Sequence, residues 1–575
     1  MASLLVVHAV IASAPPPHLL ALLADDLGYY DTAIHNAASP TPKIATLARG
    51  GMLLSRHYVF RFCSPSRRSF LTGRLPTSIT TVQPDGGKLC SDFLPLATEL
   101  LSEKLTAVGY RCHFVGKGHL GYQTTDHLPI NRGFASHIGY LNGAESYSHG
   151  GGDANPDKGT HDLWRDHGPA VAAVRNMTYS ADYYSREAVA IIEEHAQRHG
   201  GDSPLFMYLA IQNVHAPFTL PPAWQVHDYP QMGAAWRTYA NMLAALDGAV
   251  GNVSAALQRA GLWERSLLLF TADNGGIGAY GNNFPLRGHK HDPWEGGTRA
   301  ISFLAGGVLP RSLCGARSEA LVHISDWYPT FATLAGAVPS DDANISGAVY
   351  PIDGVDVWPM LIGVNATQPR PITVVTEVSA IEVVAHSGGR VEMWKLVTLA
   401  GQSNHYDRDG RQLNASAQPC LNGRQPDPPQ PGRTDPIVNG PASHEREACP
   451  VCNSSSPCLY ELVADPSERS NRADDDAEAA RVTRLALAIA AANAKSYVSG
   501  TLDAKTLALD YDPIDAKEWK GFSGPCYRRK ARGKAAERSR EETRGAERSR
   551  EETRGAERSR EEPKEEPRGE SKRAS

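Results

Sequence analysis

Beyond its N-terminus, the 575-residue chain has no segment long and apolar enough to span a bilayer as a helix. It also lacks an excess of positive charge where a globular core would lie. Residues 527–575 hold 17 Lys+Arg and 12 Asp+Glu, a net +5, leaving 41 and 51 before them, a net -10. A mildly acidic globular part argues against a general nucleic-acid binder, but leaves room for a local basic pocket that takes an anion. The tail lacks apolar residues almost entirely. Its ten-residue unit Ala536–Gly545 recurs, the last copy diverging at Pro563, and cannot form a core. The N-terminus lacks a basic n-region. Leu4–Ile11 is apolar and Ala12-Ser13-Ala14 resembles a signal-peptidase site, but Pro15 hinders cleavage after Ala14. Residues 1–14 therefore read either as a signal peptide cut after Ala12 or as an extended arm.

What is present is a set of short apolar runs that end in polar, chemically capable residues. His18–Leu23 ends in Asp25-Asp26. Arg111–Val115 ends in Gly116-Lys117-Gly118-His119. Leu205–Ile211 ends near His215, and Ser266–Phe270 ends in Asp273-Asn274-Gly275-Gly276. Runs of this length, separated by helix-length segments, predict a mostly parallel sheet with both faces covered by helices, an α/β fold. Such sheets place ligand sites beyond the carboxyl ends of their strands. Any one ending fits a surface turn, since Asp and Asn favour turns for local hydrogen-bonding reasons. Four endings together predict a site.

Two helices are expected within Ser185–Ala196 and Trp236–Leu257. Gly143–Gly159 is a long glycine-rich loop of the kind often placed beside a site. From about residue 371 the texture changes. Thr373–Val378, Ala380–His386, Val391–Leu399 and Leu459–Leu462 read as strands, Ser387-Gly388-Gly389 as a hairpin turn, and Asp474–Ala494 as a helix. The expected organisation is a catalytic domain over 15–370, a smaller α+β domain with an antiparallel sheet over 371–526, and a solvated tail over 527–575.

Asn-x-Ser/Thr triplets stand at Asn176, Asn252, Asn344, Asn365, Asn414 and Asn453. Roughly two or three would arise by chance, so six point toward a glycoprotein of the secretory pathway. Nine cysteines fit an oxidising compartment. Cys420, Cys449, Cys452 and Cys458 have a spacing open to zinc, but their Pro-, Ser- and Asn-rich surroundings favour a disulfide-stapled loop.

The strongest single string is Cys63-Ser64-Pro65-Ser66-Arg67, followed by Leu71-Thr72-Gly73-Arg74. Pro is favoured in the first helical turn, so Cys63 would sit at a helix N-terminus, where N–H groups and the helix dipole favour an anion. Arg67, four residues on, can reach the same anion. The hard oxygen donors Asp25, Asp26, Asp273 and Asn274 suit Ca²⁺ or Mg²⁺ rather than zinc or copper. Lys117, His119, His215 and Lys290 are suited to holding substrate oxygens or moving protons.

C-x-P-S-R with L-T-G-R resembles the type I sulfatase signature, within the alkaline-phosphatase-like superfamily. A-D-D-L-G-Y-Y-D at 24–31, Q-N-V-H-A-P at 212–217 and T-A-D-N-G-G at 271–276 are similar to that family's motifs. G-K-G-H-L-G at 116–121 departs from the family's usual G-K-W-H-L-G at Gly118. G-N-N-F-P-L-R-G-H-K at 281–290, W-E-G-G-T-R at 294–299 and L-D-G-A-V-G-N-V-S-A-A-L at 246–257 look most like the arylsulfatase B, or N-acetylgalactosamine-4-sulfatase, group.

The resemblance runs from about residue 17 to 526. It implies hydrolysis of sulfate esters, of an aryl alcohol or of a sugar or polysaccharide, in a secreted or lysosome- or vacuole-like setting of the secretory pathway. It implies that a formylglycine-generating enzyme converts Cys63 to formylglycine, whose hydrate is the nucleophile. It implies one Ca²⁺ on Asp25, Asp26, Asp273, Asn274 and modified Cys63. Arg67 and His119 would orient the hydrate, Lys117 and Lys290 would hold sulfate, and His215 with Lys290 would assist the leaving group. Two other classes remain: a phosphodiesterase or phosphonate monoester hydrolase of the same superfamily, and a non-catalytic sulfoglycan-binding relative. Because the resemblance stops before the tail, removing residues 530–575 is expected to leave turnover of a small aryl sulfate unchanged. A steady-state assay of the truncated protein checks this, and loss of turnover would refute it.

Overall fold

The computed structural model describes most of residues 15–399 and 452–495, with short pieces up to residue 529. Residues 1–14, 80–92, 149–160, 414–451 and 530–575 lie outside the described residues. The N-terminal readings, most of the Gly143–Gly159 loop, Cys420 and Cys449, and the repeats therefore lie outside them too.

The centre of the molecule is an eleven-stranded sheet. Its main strands run, across the sheet, Arg317–His323, Met52–Tyr58, Ser302–Ala305, Ser266–Ala272, His18–Ala24, Leu205–Ile211, Arg111–Lys117 and Ser136–Tyr140. Trp164–Arg165 and Gly168–Pro169 extend one edge, and Arg299–Ala300 pairs with Met52–Tyr58. The four apolar runs singled out in the sequence are the four adjacent central strands, all parallel. His18–Ala24, Leu205–Ile211 and Ser266–Ala272 are buried at every position, as expected for strands covered on both faces.

One main strand departs from the parallel expectation. Ser302–Ala305 runs antiparallel to both its neighbours. It is only four residues long and wholly buried, and a short continuous apolar run carries no mark of its direction.

Register decides the functional outcome. Ala24 lies level with Ile211 on one side and Ala272 on the other, and Gly116 lies level with Ala210. The residues that follow these positions therefore emerge on one line at the carboxyl edge.

The helix Cys63–Thr72 covers this sheet, with Phe70 against Tyr208 of the central strand and Phe331 of the helix Trp327–Leu334. It starts after Phe62 in extended conformation and stops at Gly73, whose φ is +70°. A Cβ there would also come within 2.9 Å of the Ile352 side chain, so the L-T-G-R glycine serves both the left-handed helix end and the close packing. The two expected helices are longer than their apolar periodicity shows, at Ser180–His199 and Ala234–Arg259.

In the C-terminal region a four-stranded antiparallel sheet pairs Ile372–Thr376, Ser379–Ala385, Val391–Val397 and Cys458–Glu461 in that order. Gly388 and Gly389 both take positive φ at the expected hairpin turn. One face packs Ala380, Trp394 and Leu459 against Leu485 and Ile489 of the helix Ala479–Ala494. The other packs Val375, Ile381 and Met393 against Tyr58, Trp294 and Leu321 of the larger sheet's side. The regular helix starts at Ala479 rather than Asp474, after a short 3-10 turn at Asp476–Glu478. Cys452 and Cys458 form a disulfide, which uses two of the cysteines whose spacing was open to zinc.

Candidate active site

Asp25 and Asp26 follow the first central strand directly, and Asp26 takes φ +56° to turn its side chain into the edge. Asp273 and Asn274 follow the neighbouring strand. The Asp26 amide donates to Asp273 Oδ1 at 3.3 Å, and Asn274 Nδ2 donates to Asp26 Oδ1 at 2.8 Å. Cys63 at the first turn of its helix brings Sγ to 3.4 Å from Asp25 Oδ1 and 3.9 Å from Asp26 Oδ1. All five residues are buried.

Three cations answer the three carboxylates. Lys117, the last residue of its strand, donates to Asp25 Oδ2 at 2.6 Å. Lys290 lies 2.7 Å and 2.9 Å from the two Asp26 oxygens. Arg67, one helical turn beyond Cys63, donates through Nε and Nη2 to Asp273 Oδ2 at 2.9 and 2.7 Å, with Nη2 3.7 Å from Asp25. Burial of this many charges is tolerable only because they are paired. It opposes the ionisation of Asp25 and Asp26, but Lys117 beside Asp25 and Lys290 beside Asp26 hold both carboxyls below their usual range. Burial and the neighbouring Asp25 instead push Asp273 up to about 6, against the pull of Arg67.

The histidines complete the wall. His215 Nδ1 donates to the Ala216 carbonyl at 2.6 Å, which leaves Nε2 facing Asp26 Oδ2 at 3.8 Å. Burial and Lys290 lower its pKa. His119 takes φ +54° and its carbonyl accepts from Ser64 Oγ at 2.7 Å, so the Cys63 helix itself holds it. A Cβ on Gly143 would come within 2.5 Å of the His119 ring, so the start of the glycine-rich loop packs flat on it. Burial, Lys117 and Arg67 keep His119 neutral. At Gly118, where the family pattern has an aromatic, a Cβ would meet the Tyr140 carbonyl at 3.1 Å.

The ten residues named from the sequence thus converge, though not all on the partners the resemblance implied. Lys117 and Lys290 touch carboxylates here, and Arg67 grips Asp273. The ligand atoms of Asp25, Asp26, Cys63 and His215 all lie within 4.8 Å of one another. The donors fit a hard divalent cation. Asp25 and Asp26 supply oxygens, Asp273 keeps Oδ1 clear of Arg67, and Asn274 Oδ1 is buried with no hydrogen-bond partner. Cys63 Sγ is the one soft donor among them.

Asp31 was missed in the sequence, although it ends the A-D-D-L-G-Y-Y-D string. It accepts from the Gly28 amide at 2.8 Å, the Asn282 amide at 2.9 Å and Tyr239 Oη at 2.6 Å. It ties the Asp25-Asp26 turn to the loop that carries Lys290. Burial raises its pKa to about 7 despite these three donors. Only the fold brings Tyr239 and Asn282 to it, so no local spacing marked it.

Residues 17–337 match the Sulfatase family model. Arylsulfatase J of Mus musculus is 34% identical over 412 residues, covering 67% of this chain and 65% of that protein, just under two thirds. N-acetylgalactosamine-6-sulfatase of Mus musculus is 30% identical over 393 residues, covering 63% and 69%. Arylsulfatase A of Homo sapiens is 32% identical over 401 residues, covering 64% and 72%. Among solved structures, Ps i-CgsB in complex with k-i-k-neocarrahexaose aligns with a TM-score of 0.62 at 22% identity, over 88% of this chain and 100% of that one. PsFucS1 sulfatase from Pseudoalteromonas sp. aligns at 0.59 and 19%, over 87% and 94%. These two likenesses carry the fold. The relatives are arylsulfatases J and A and a 6-sulfatase rather than arylsulfatase B, so the family is supported and that subgroup is not. With a family match over more than half of its length, the chain belongs to the sulfatase family.

Proposed function

We propose that this protein hydrolyses sulfate esters of a sugar or aryl alcohol, using Cys63 in its formylglycine form. The observation that carries the reading is the setting of Cys63. Cys63 is buried beside Asp25 and Asp26, and its sulfur is the one soft atom among hard oxygen donors. Replacing the sulfur by oxygen turns the misfit into a fit, because every donor around the cation position is then hard. Cys63 is 1% exposed, so its conversion would have to precede closure of the fold.

Formylglycine hydrate supplies a hydroxyl that attacks sulfur, and a second hydroxyl that allows the sulfate to be expelled. Calcium, held by Asp25, Asp26, Asp273 and Asn274, would supply positive charge to the sulfate oxygens. Lys117 and Lys290 stand where an anionic group entering beside Cys63 would draw them off Asp25 and Asp26. Arg67 fixes Asp273. His215 Nε2, at the half-open side of the site, holds the proton for the departing alcohol. His119, tied to the Cys63 helix by Ser64, would help orient the hydrate.

Sulfated sugars suit this edge because the relatives include N-acetylgalactosamine-6-sulfatase, and a solved neighbour was crystallised with a neocarrahexaose. A secretory location is supported by the Cys452–Cys458 disulfide and by the exposed triplet positions Asn252 and Asn365. Comparing nitrophenyl sulfate with nitrophenyl phosphate tests the reading. Preference for sulfate is expected, preference for phosphate would assign a phosphoester hydrolase, and no turnover of either by formylglycine-bearing protein would assign a binding role.

The cation has its own test. Asp273→Ala is expected to lose calcium, measured by calorimetry on chelator-treated protein, together with turnover. It also leaves Arg67 buried beside a lost partner, which costs about 3–5 kcal/mol of folding stability. Full calcium binding by the variant would remove Asp273 from the ligand set.

A further inference from the structure

The structure carries a second buried charge cluster, away from the reacting centre, where the small antiparallel sheet meets the large one. Lys395, on the strand Val391–Val397, places Nζ 2.9 Å from Glu295 Oε1 and 3.1 Å from Glu468 Oε1. All three side chains have zero exposure. Glu468, at φ +53°, accepts the Glu295 amide on Oε2 at 2.8 Å. Glu295 Oε2 accepts from Tyr58 Oη at 2.9 Å and lies 3.6 Å from Arg299.

The same residue also holds the other end of the segment. Arg287 donates to the Glu468 carbonyl at 3.0 Å while its guanidinium stacks 3.8 Å over Trp294. Glu468 thus brackets residues 287–295, and Lys290 lies between. Beyond Glu295, the turn Glu295–Thr298 leans on the ligand loop. The Gly275 amide donates to the Gly297 carbonyl at 3.0 Å, and a Cβ on Gly275 would fall 1.7 Å from the Gly296 carbonyl oxygen. Gly275 follows Asn274, and the Gly276 carbonyl accepts the Lys290 amide at 3.1 Å.

We infer that Glu468, with Lys395, is a positioning residue of the small sheet's side that braces Lys290 and Asn274 against the substrate and the cation. The inference rests on the sulfatase reading. Its physical content is reach: the Glu468 side chain must span to the Glu295 amide, and Lys395 neutralises the two carboxylates that meet there. Simple docking of the two sheets would need the charge of Glu468 but not its length.

Two substitutions separate these. Glu468→Asp keeps the charge and shortens the arm by one bond, so it loses the Glu295 amide. Glu468→Gln keeps the length and an acceptor oxygen, and loses the charge. For the brace, Glu468→Asp is expected to weaken calcium binding and kcat by about 10-fold, the low end of the cost of losing a group bonded to a metal ligand, since Glu468 acts through the 295–297 turn. Glu468→Gln should stay within about threefold of the unchanged protein, below that cost. Calcium binding is read by calorimetry, kcat and KM with nitrophenyl sulfate, and folding by circular dichroism. If Glu468→Asp fails to fold, Arg287→Gln, which frees the other end of the bracket, carries the same expectation of weakened calcium binding. The brace is overturned if the unchanged protein and Glu468→Asp bind calcium and turn over alike, or if Glu468→Gln suffers as much as Glu468→Asp. If the unchanged, formylglycine-bearing protein neither binds calcium nor cleaves the sulfate, the sulfatase reading falls and takes the brace with it.

Discussion

Cys63→Ser is expected to stop turnover and to leave one sulfate bound per chain. The serine hydroxyl stands where the formylglycine hydrate would stand, beside Asp25 and Arg67. It can attack sulfur, forming an O–S bond while the S–O bond to the alcohol breaks and the alcohol departs. It then has no second hydroxyl from which to expel the sulfate, so the ester persists. Loss of an activated nucleophile costs roughly 10⁴-fold or more in turnover. Peptide mass spectrometry reads both halves of the result. The unchanged protein, made with a formylglycine-generating enzyme, should show an aldehyde at position 63. The serine variant should show a sulfate ester after exposure to substrate. Fully active protein with an intact thiol at Cys63 would refute the nucleophile, and so would serine protein that turns over freely.

The second large effect depends on the leaving group. A sugar alkoxide leaves poorly, whereas a nitrophenolate needs little protonation. His215 Nδ1 is committed to the Ala216 carbonyl, so Nε2 is the atom that can carry the transferable proton. His215→Ala is expected to slow sulfated-sugar hydrolysis by about 10²–10⁴-fold, the usual worth of general acid catalysis, while slowing nitrophenyl sulfate far less. The sign of the pH dependence follows from burial and Lys290. Both lower the His215 pKa, so its protonated form is scarce at neutral pH and grows as pH falls. The sugar-sulfate rate should therefore rise toward acid pH in the unchanged protein, and that dependence should flatten in the variant. Equal losses on both substrates would leave His215 as a sulfate contact without an acid role.

Much of the sheet's carboxyl edge is legible in the sequence. Three of the four apolar runs are buried at every position, which is why they read as continuous rather than alternating. The residues that end them needed only the parallel register to meet. The Cys63 helix was legible for a local reason as well: proline in its first turn and glycine at its left-handed end are both backbone requirements. Ser302–Ala305 was not legible in its direction, because backbone pairing with two neighbours sets direction and side-chain pattern does not.

The sequence by itself determined which residues stand at the site, since strand ends and helix starts are local features of the chain. It also determined the hard-oxygen character of the donors and the presence of a soft Cys63 among them. Only the tertiary structure decided who pairs with whom. Lys290 meets Asp26 across 264 positions and Arg67 meets Asp273 across 206. Asp31 finds Tyr239 across 208, and Lys395 finds Glu295 across 100. Such pairings leave no period in the sequence. They are settled where burial makes an unpaired charge too costly, so each buried carboxylate takes the cation that the folded sheet brings within reach.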